Sequence, residues 1–142
     1  MSRITLDQAN TVIAGALSKR SELGIKPLAV AVLDAGGHLI AFQRQDGVST
    51  GRLQVACGKA GGALFLGMSS AKLGEAAVQR PSFIAALAPL APLGLVPAAG
   101  GVIVVDDEGL AIGAVGISGD TADNDEACAL AGIASVGLQA QN

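Results

Sequence analysis

Apolar residues along this chain recur with two different periods, and the changes between them mark out the elements. Leu6, Ala9, Val12, Ile13, Ala16, Leu17 and Leu23 return every three or four positions, the spacing of one helix face. Thr5 and Gln8 match a capping box, while Gly24 followed by Pro27 supplies a left-handed stop. Leu28 to Leu33 is instead an unbroken apolar run ending at Asp34, the pattern of a strand buried on both faces. The turn residues Asp34-Ala35-Gly36-Gly37 lead into a second strand, His38 to Arg44, so the pair reads as an antiparallel hairpin. Alternation places His38, Ile40, Phe42 and Arg44 on one face of it.

A polar loop, Gln45 to Gly51, precedes a helix from about Arg52 to Leu66. Ser69 or Ser70 caps a shorter helix that runs through Val78 and stops before Arg80-Pro81. Pro89, Pro92 and Pro97 break up the apolar stretch that follows into a short helix and a connecting loop, suited to covering a sheet edge or a subunit contact. Val102 to Val105 and Leu110 to Ile117 form a second hairpin around Asp107-Glu108-Gly109. Asp123 and Glu126 have capping-box spacing, with Ala127, Leu130, Ala131, Ala134 and Leu138 as the buried stripe of a closing helix. Two hairpins separated by helices predict an α+β fold on an antiparallel sheet, in one domain spanning residues 1–142.

Composition narrows the function classes. A net charge of −3, no basic run, three Phe and no Trp or Tyr argue against a nucleic-acid partner. No apolar run approaches the roughly 20 residues of a membrane helix, and MSRITLDQAN shows no signal-peptide core, so the expectation is a cytoplasmic protein. Hydrophobic residues make up 51% of the chain, a surplus that points to burial between subunits of a homo-oligomer. Cys57 and Cys128 are too few for a disulfide framework or a thiolate metal site, and their Ala-rich surroundings suit small core residues.

Chemistry is concentrated in a few positions. Lys59 falls inside the apolar arc of its helix with Val55, Ala56, Ala63 and Leu66, and Arg52 lies near the same azimuth. A lysine there pairs with an acid (Asp34, Asp125 or Glu126), meets an anionic ligand, or acts as a base or carbonyl nucleophile. Gly113 to Gly119 ahead of a helix start offers backbone N–H groups to a carboxylate or phosphate, or serves as a plain strand-to-helix turn. Its GxxGxSG spacing is neither a dinucleotide loop, a P-loop nor the GxSxG of a serine hydrolase. His38, the sole histidine, cannot build a multi-histidine metal site.

Four segments together resemble the GlcG/HbpS family of haem-degrading or haem-binding DUF336 domains. They are AVAVLDAGGHLIAFQRQDG at 29–47, ACGKAGGAL at 56–64, PAAGGVIVVDDEGLAIGAVGISG at 97–119 and DNDEACALAG at 123–132. The resemblance implies α/β/α layers around a profilin-like or PAS-like antiparallel sheet, and oligomers. It also implies haem binding in some members, a domain appended to cobalamin adenosyltransferases in others, and genes beside glycolate or diol utilisation in others again. Some haem-binding relatives take a ligand from a first-helix histidine; this chain has none there, leaving His38, Met68, a cysteine or a hydroxyl.

Two functional expectations follow. One is an oligomeric module binding haem or a small anionic metabolite, received by Arg44, Lys59 and the Gly116, Ser118 and Gly119 loop, with Asp34 and His38 nearby. The other is an enzyme acting on a small hydroxy- or oxo-acid, with Lys59 as polarising group or base, Arg44 as a clamp, and Asp125 or Glu126 moving protons.

Overall fold

The computed structural model describes residues 3–142. Helix α1, Leu6–Leu23, begins with the expected box: Thr5 accepts from the Gln8 N–H, and the Gln8 side chain accepts from the Thr5 N–H. Such a cap contributes about 1 kcal/mol. Gly24 ends the helix at φ 65°, a conformation that only glycine adopts freely. Strand β1, Ala29–Asp34, is buried on both faces because it lies between two partners: β2, Leu39–Arg44, and β4, Ala111–Ser118. With β3, Gly101–Val105, and the two-residue β5, Gln139–Ala140, the sheet order is β2-β1-β4-β3-β5, every ladder antiparallel.

Helices cover both faces, giving the α/β/α layering and the α+β class. Helix α2, Arg52–Leu66, packs on one face across β1, β4 and β3. Helix α1 and the closing helix α5, Ala122–Ser135, pack together on the other. The larger core lies on the α1–α5 side, where Val12, Ile13, Val30, Val32, Val115 and Ile133 meet. On the α2 side the contact residues are small: a side chain on Gly116 would collide with the Ala56 carbonyl, and one on Gly101 with that of Lys59. The helix therefore sits nearly backbone to backbone on β3 and β4. Ser70, at the start of α3, Ser70–Gln79, accepts from the Gly101 N–H at 2.7 Å and ties this layer to β3.

Four sequence expectations need correction. The cap of α5 is Thr121, which accepts from the Asn124 N–H, so Asp123 lies inside the first turn and not at the cap. The buried stripe of α5 is Asp125, Cys128, Ala129, Gly132 and Ile133, while Leu130 and Ala134 face outward. Gly132 decides that phase, because a side chain there would strike the Val12 carbonyl of α1. Of the two readings of Gly113 to Ser118, strand of the second hairpin and anion-receiving loop, the strand holds throughout. The proline-broken stretch becomes α4, Pro81–Leu87, a 3-10 turn and a loop whose Leu93, Leu95 and Val96 rest on Gly58, Gly61 and Gly62 of α2. It thus covers a helix, not a sheet edge. Large apolar side chains including Leu39, Phe65, Leu90 and Leu93 stay exposed, so this core does not absorb the whole apolar surplus.

The close seat of α2 is testable with two glycines. Gly116→Ala adds a methyl where backbone already stands and should cost about 1–3 kcal/mol. Gly51→Ala, in open space at a negative φ, should stay within about 0.5 kcal/mol of wild type. Urea denaturation reads both, and equal effects would remove the close seat.

Candidate functional site

Arg52 and Lys59 leave α2 from nearly the same azimuth, two turns or about 10 Å apart along its axis. The lysine is only 4% exposed. Its Nζ donates to Asp125 Oδ2 at 3.0 Å and to the Ile117 carbonyl at 2.9 Å. It reaches them past Gly100 (φ +129°), where a side chain would stand 2.8 Å from Nζ and 2.9 Å from Cδ. Asp125, 1% exposed, uses its other oxygen to accept from the Asp120 N–H at 3.0 Å. Both charges are thus paired and hydrogen-bonded, the condition under which ions survive burial.

Arg52 is different. It is half-buried, donates from Nη1 to Ser118 Oγ at 2.8 Å, and forms no ion pair among the described residues. It lines a cleft of about 230 Å³ with Lys26, Pro27, Gly47, Val48, Ser49 and Gly119. No acidic side chain is in that lining. Behind the cleft, Asp120 accepts from the Lys26 N–H at 3.1 Å and from Asn124 Nδ2 at 2.8 Å. The Asn124 bond first, then backbone N–H groups and the nearby Lys26 charge, hold the Asp120 carboxyl down at about 2. At the α5 start Thr121 Oγ1 accepts from the Asn124 N–H, Asp125 accepts from the Asp120 N–H and Asp120 accepts from the Asn124 amide, while Arg52 and Lys26 face the cleft with their side chains.

Of the residues singled out from sequence, Lys59, Asp125, Arg52, Ser118 and Gly119 gather at this end of the sheet. Gly116 is consumed by helix packing. Glu126 makes no side-chain hydrogen bond or ion pair among the described residues. Arg44 opens into a neighbouring cleft with Arg20, Pro27, Gln45 and Asp46. Asp34 sits at the far end of β1, where it accepts from the Gly36 and His38 N–H groups and faces the His38 ring at 3.5 Å. His38 itself is exposed. Met68 follows the C-terminal end of α2.

Sequence reasoning missed two features. Lys26 carried no local signal, since its cleft is assembled from four separate elements. An apolar groove also runs along the outer side of α2: Leu53 and Cys57 with Leu39, Pro92 and Leu93 enclose about 460 Å³, and Gly61 and Phe65 continue it. The i, i+4, i+8, i+12 spacing of Leu53, Cys57, Gly61 and Phe65 was the available sign. Burial raises the pKa of both thiols, alone at Cys57 and with the Asp125 charge adding to it at Cys128.

Breaking the buried pair should be costly. Lys59→Met or Asp125→Asn alone should each lose about 3–5 kcal/mol, and the double variant less than their sum. Additive losses in chemical denaturation would remove the pairing. Asp120 has a folded pKa of about 2 against 3.8 for an unperturbed carboxyl, so its stabilisation is complete above about pH 4 and lost as pH falls towards 2. Asp120→Asn should flatten that limb of the melting temperature against pH; an unchanged slope would assign it to other groups.

A family model described as "Haem degrading protein HbpS-like" matches residues 4–134. No curated protein matches the chain significantly. Among solved structures, HbpS shares 26% identity over 96% of this chain and 92% of its own, with a TM-score of 0.82. Klebsiella pneumoniae protein ORFY, of the DUF336 family, shares 25% identity over 98% and 95%, with a TM-score of 0.85. PduOC, solved as a haem complex, superposes with a TM-score of 0.87 over 99% and 100% at 20% identity, a likeness of fold. The chain belongs to the HbpS-like family of haem-degrading proteins.

Proposed function

We propose that this chain is a small-molecule-binding module whose ligand places a carboxylate in the Lys26–Arg52–Gly119 cleft. The observation that carries the reading is Arg52: a half-buried guanidinium, oriented by Ser118, in a cleft without an acidic side chain. A guanidinium held in this way presents its remaining N–H groups in the fork geometry that carboxylates accept. Lys26 adds a second cation, and the Ser49 side of the cleft adds polar surface.

Haem is a ligand of this class, and the surroundings fit most of it. A propionate would meet Arg52 and Lys26, and the ring would lie on the apolar groove that starts at Leu53, one residue along the same helix. For the iron, Cys57 lines the groove, although burial favours its protonated thiol, and His38 lies between the groove residues Gly37 and Leu39. When bound, haem would supply the redox and ligand-binding chemistry of its iron; the residues here hold and orient its periphery.

The burial of Lys59 and Asp125 favours this reading over a hydroxy- or oxo-acid enzyme using them with Glu126 in acid–base roles, because neither lines the cleft. In the binding reading the pair is a strut.

Isothermal titration with butyrate, and haemin titration followed in the Soret region, test the proposal. Arg52→Gln should weaken both at least about tenfold, the worth of a charged hydrogen-bonded contact. His38→Ala and Cys57→Ser should alter the Soret band while leaving butyrate binding intact. Affinities unchanged by Arg52→Gln would sink the cleft as the site.

A further inference from the structure

Four of the nine Lys and Arg residues in a chain of net charge −3 lie around one residue, Pro27. Lys26 and Arg52 line the cleft on one side of it, and Arg20 and Arg44 line a second cleft, about 380 Å³, on the other. The two clefts share Pro27 and successive parts of one loop: Gln45 and Asp46 in the second, Gly47, Val48 and Ser49 in the first. That loop is pinned. The Leu28 N–H donates to Gln45 Oε1 at 2.8 Å, and the Gln45 N–H donates to the Leu28 carbonyl at 3.0 Å.

The arginines of the second cleft are not neutralised by a short contact. The ion pairs among the described residues are Lys19–Glu22, His38–Asp34 and Lys59–Asp125, and none involves the four cations around Pro27. Arg20 is held through Nε, which donates to the carbonyls of Ile25 at 2.8 Å and Lys26 at 3.3 Å, so its terminal nitrogens make no hydrogen bond among the described residues. Arg44 is exposed and also makes none with its side chain. Asp46 lines the same cleft and offsets one of the two guanidinium charges, and Asp120 beside Lys26 offsets one charge on the other side, leaving an excess of one positive charge at each subsite. Such crowding of cations raises the local potential and favours a ligand that brings more than one negative charge.

We infer that the ligand carries two anionic groups and bridges Pro27, one group received by Arg52 and Lys26 and the other by Arg44 and Arg20. The inference rests on the cleft reading above and adds the ligand's second charge. The lining residues of the two subsites are at most four positions apart on one loop, so their backbones lie within about 14 Å of one another. Free dicarboxylates of that reach and the paired propionates of a porphyrin carry the same chemistry.

The test compares butyrate with succinate, glutarate, adipate and suberate by isothermal titration of the intact chain, wild type against Arg44→Gln and Arg52→Gln. At least one dicarboxylate should bind wild type about tenfold or more tighter than butyrate, through the second charged contact and the high effective concentration of a tethered group. Arg44→Gln should erase that advantage, bringing dicarboxylate affinity down to that of butyrate for the same variant, and the advantage should shrink as salt rises. No dicarboxylate preference in wild type, or a preference that survives Arg44→Gln, overturns the inference while butyrate binding lost in Arg52→Gln keeps the first cleft. No carboxylate binding, or binding indifferent to Arg52→Gln, overturns the first cleft and the inference with it. Haemin and its dimethyl ester separate the two sources. An Arg44-dependent affinity that disappears on esterification assigns the anions to propionates, and an Arg44-independent haemin affinity beside Arg44-dependent dicarboxylates assigns them to a free diacid.

Discussion

The architecture depends on one buried contact, Lys59 to Asp125, made through a gap in the end of the sheet. Lys59 rises from the helix on one face, and Asp125 belongs to the helix pair on the other. Removing two such charges from water costs several kcal/mol each, so the arrangement holds only if every donor and acceptor is met. The Ile117 carbonyl and the Asp120 N–H complete the set. That requirement fixes how far α2 stands from the sheet, and glycine makes the distance attainable. Gly100 leaves room for the lysine stem, while Gly101 and Gly116 let the helix backbone settle onto the strands. The small side chains on this side of the core are therefore a condition of the ion pair, since bulkier residues would lift the lysine out of reach.

The same logic separates structural cations from binding cations. Lys59 is neutralised in the interior and Lys19 is matched by Glu22 within its own helix. Around Pro27 the pairing stops. The start of α5 is partly served by the chain's own Thr121, Asp120 and Asp125, and the carboxylate proposal rests on the arginine and lysine side chains around Pro27. Membership of the HbpS-like family is what the comparisons show, and the proposed carboxylate recognition rests on the distribution of charge.

Much of the fold was legible because local signals agreed. The capping box at Thr5, the apolar run of β1, the two hairpin turns and the extent of α2 all follow from neighbouring residues. The phase of α5 was not legible, because an Ala- and Gly-rich helix has weak periodicity and its buried side is chosen by the fit of Gly132 against α1. Lys59 announced itself as a cation inside an apolar arc. Its partner did not, since Asp123, Asp125 and Glu126 crowd within one turn and only the true phase of the helix selects Asp125. The clefts were less legible still. Lys26, Arg44 and Arg52 belong to different segments, and nothing in their spacing reports that the loop after β2 brings them around Pro27.

Arg52 and Lys59 share one helix, and that has a consequence for how the cleft behaves. A rod seated backbone on backbone and locked two turns further on cannot slide or tilt towards an arriving molecule without exposing a buried charge. On the proposed binding reading, the wall of the cleft that carries Arg52 is consequently fixed before any encounter, and no rearrangement of α2 dilutes the affinity. Selection among ligands of the proposed site then falls in part on their own shape and stiffness: a molecule whose charged ends already stand at the right separation gains over a floppy one of equal charge, because the helix that carries Arg52 contributes no adjustment of its own.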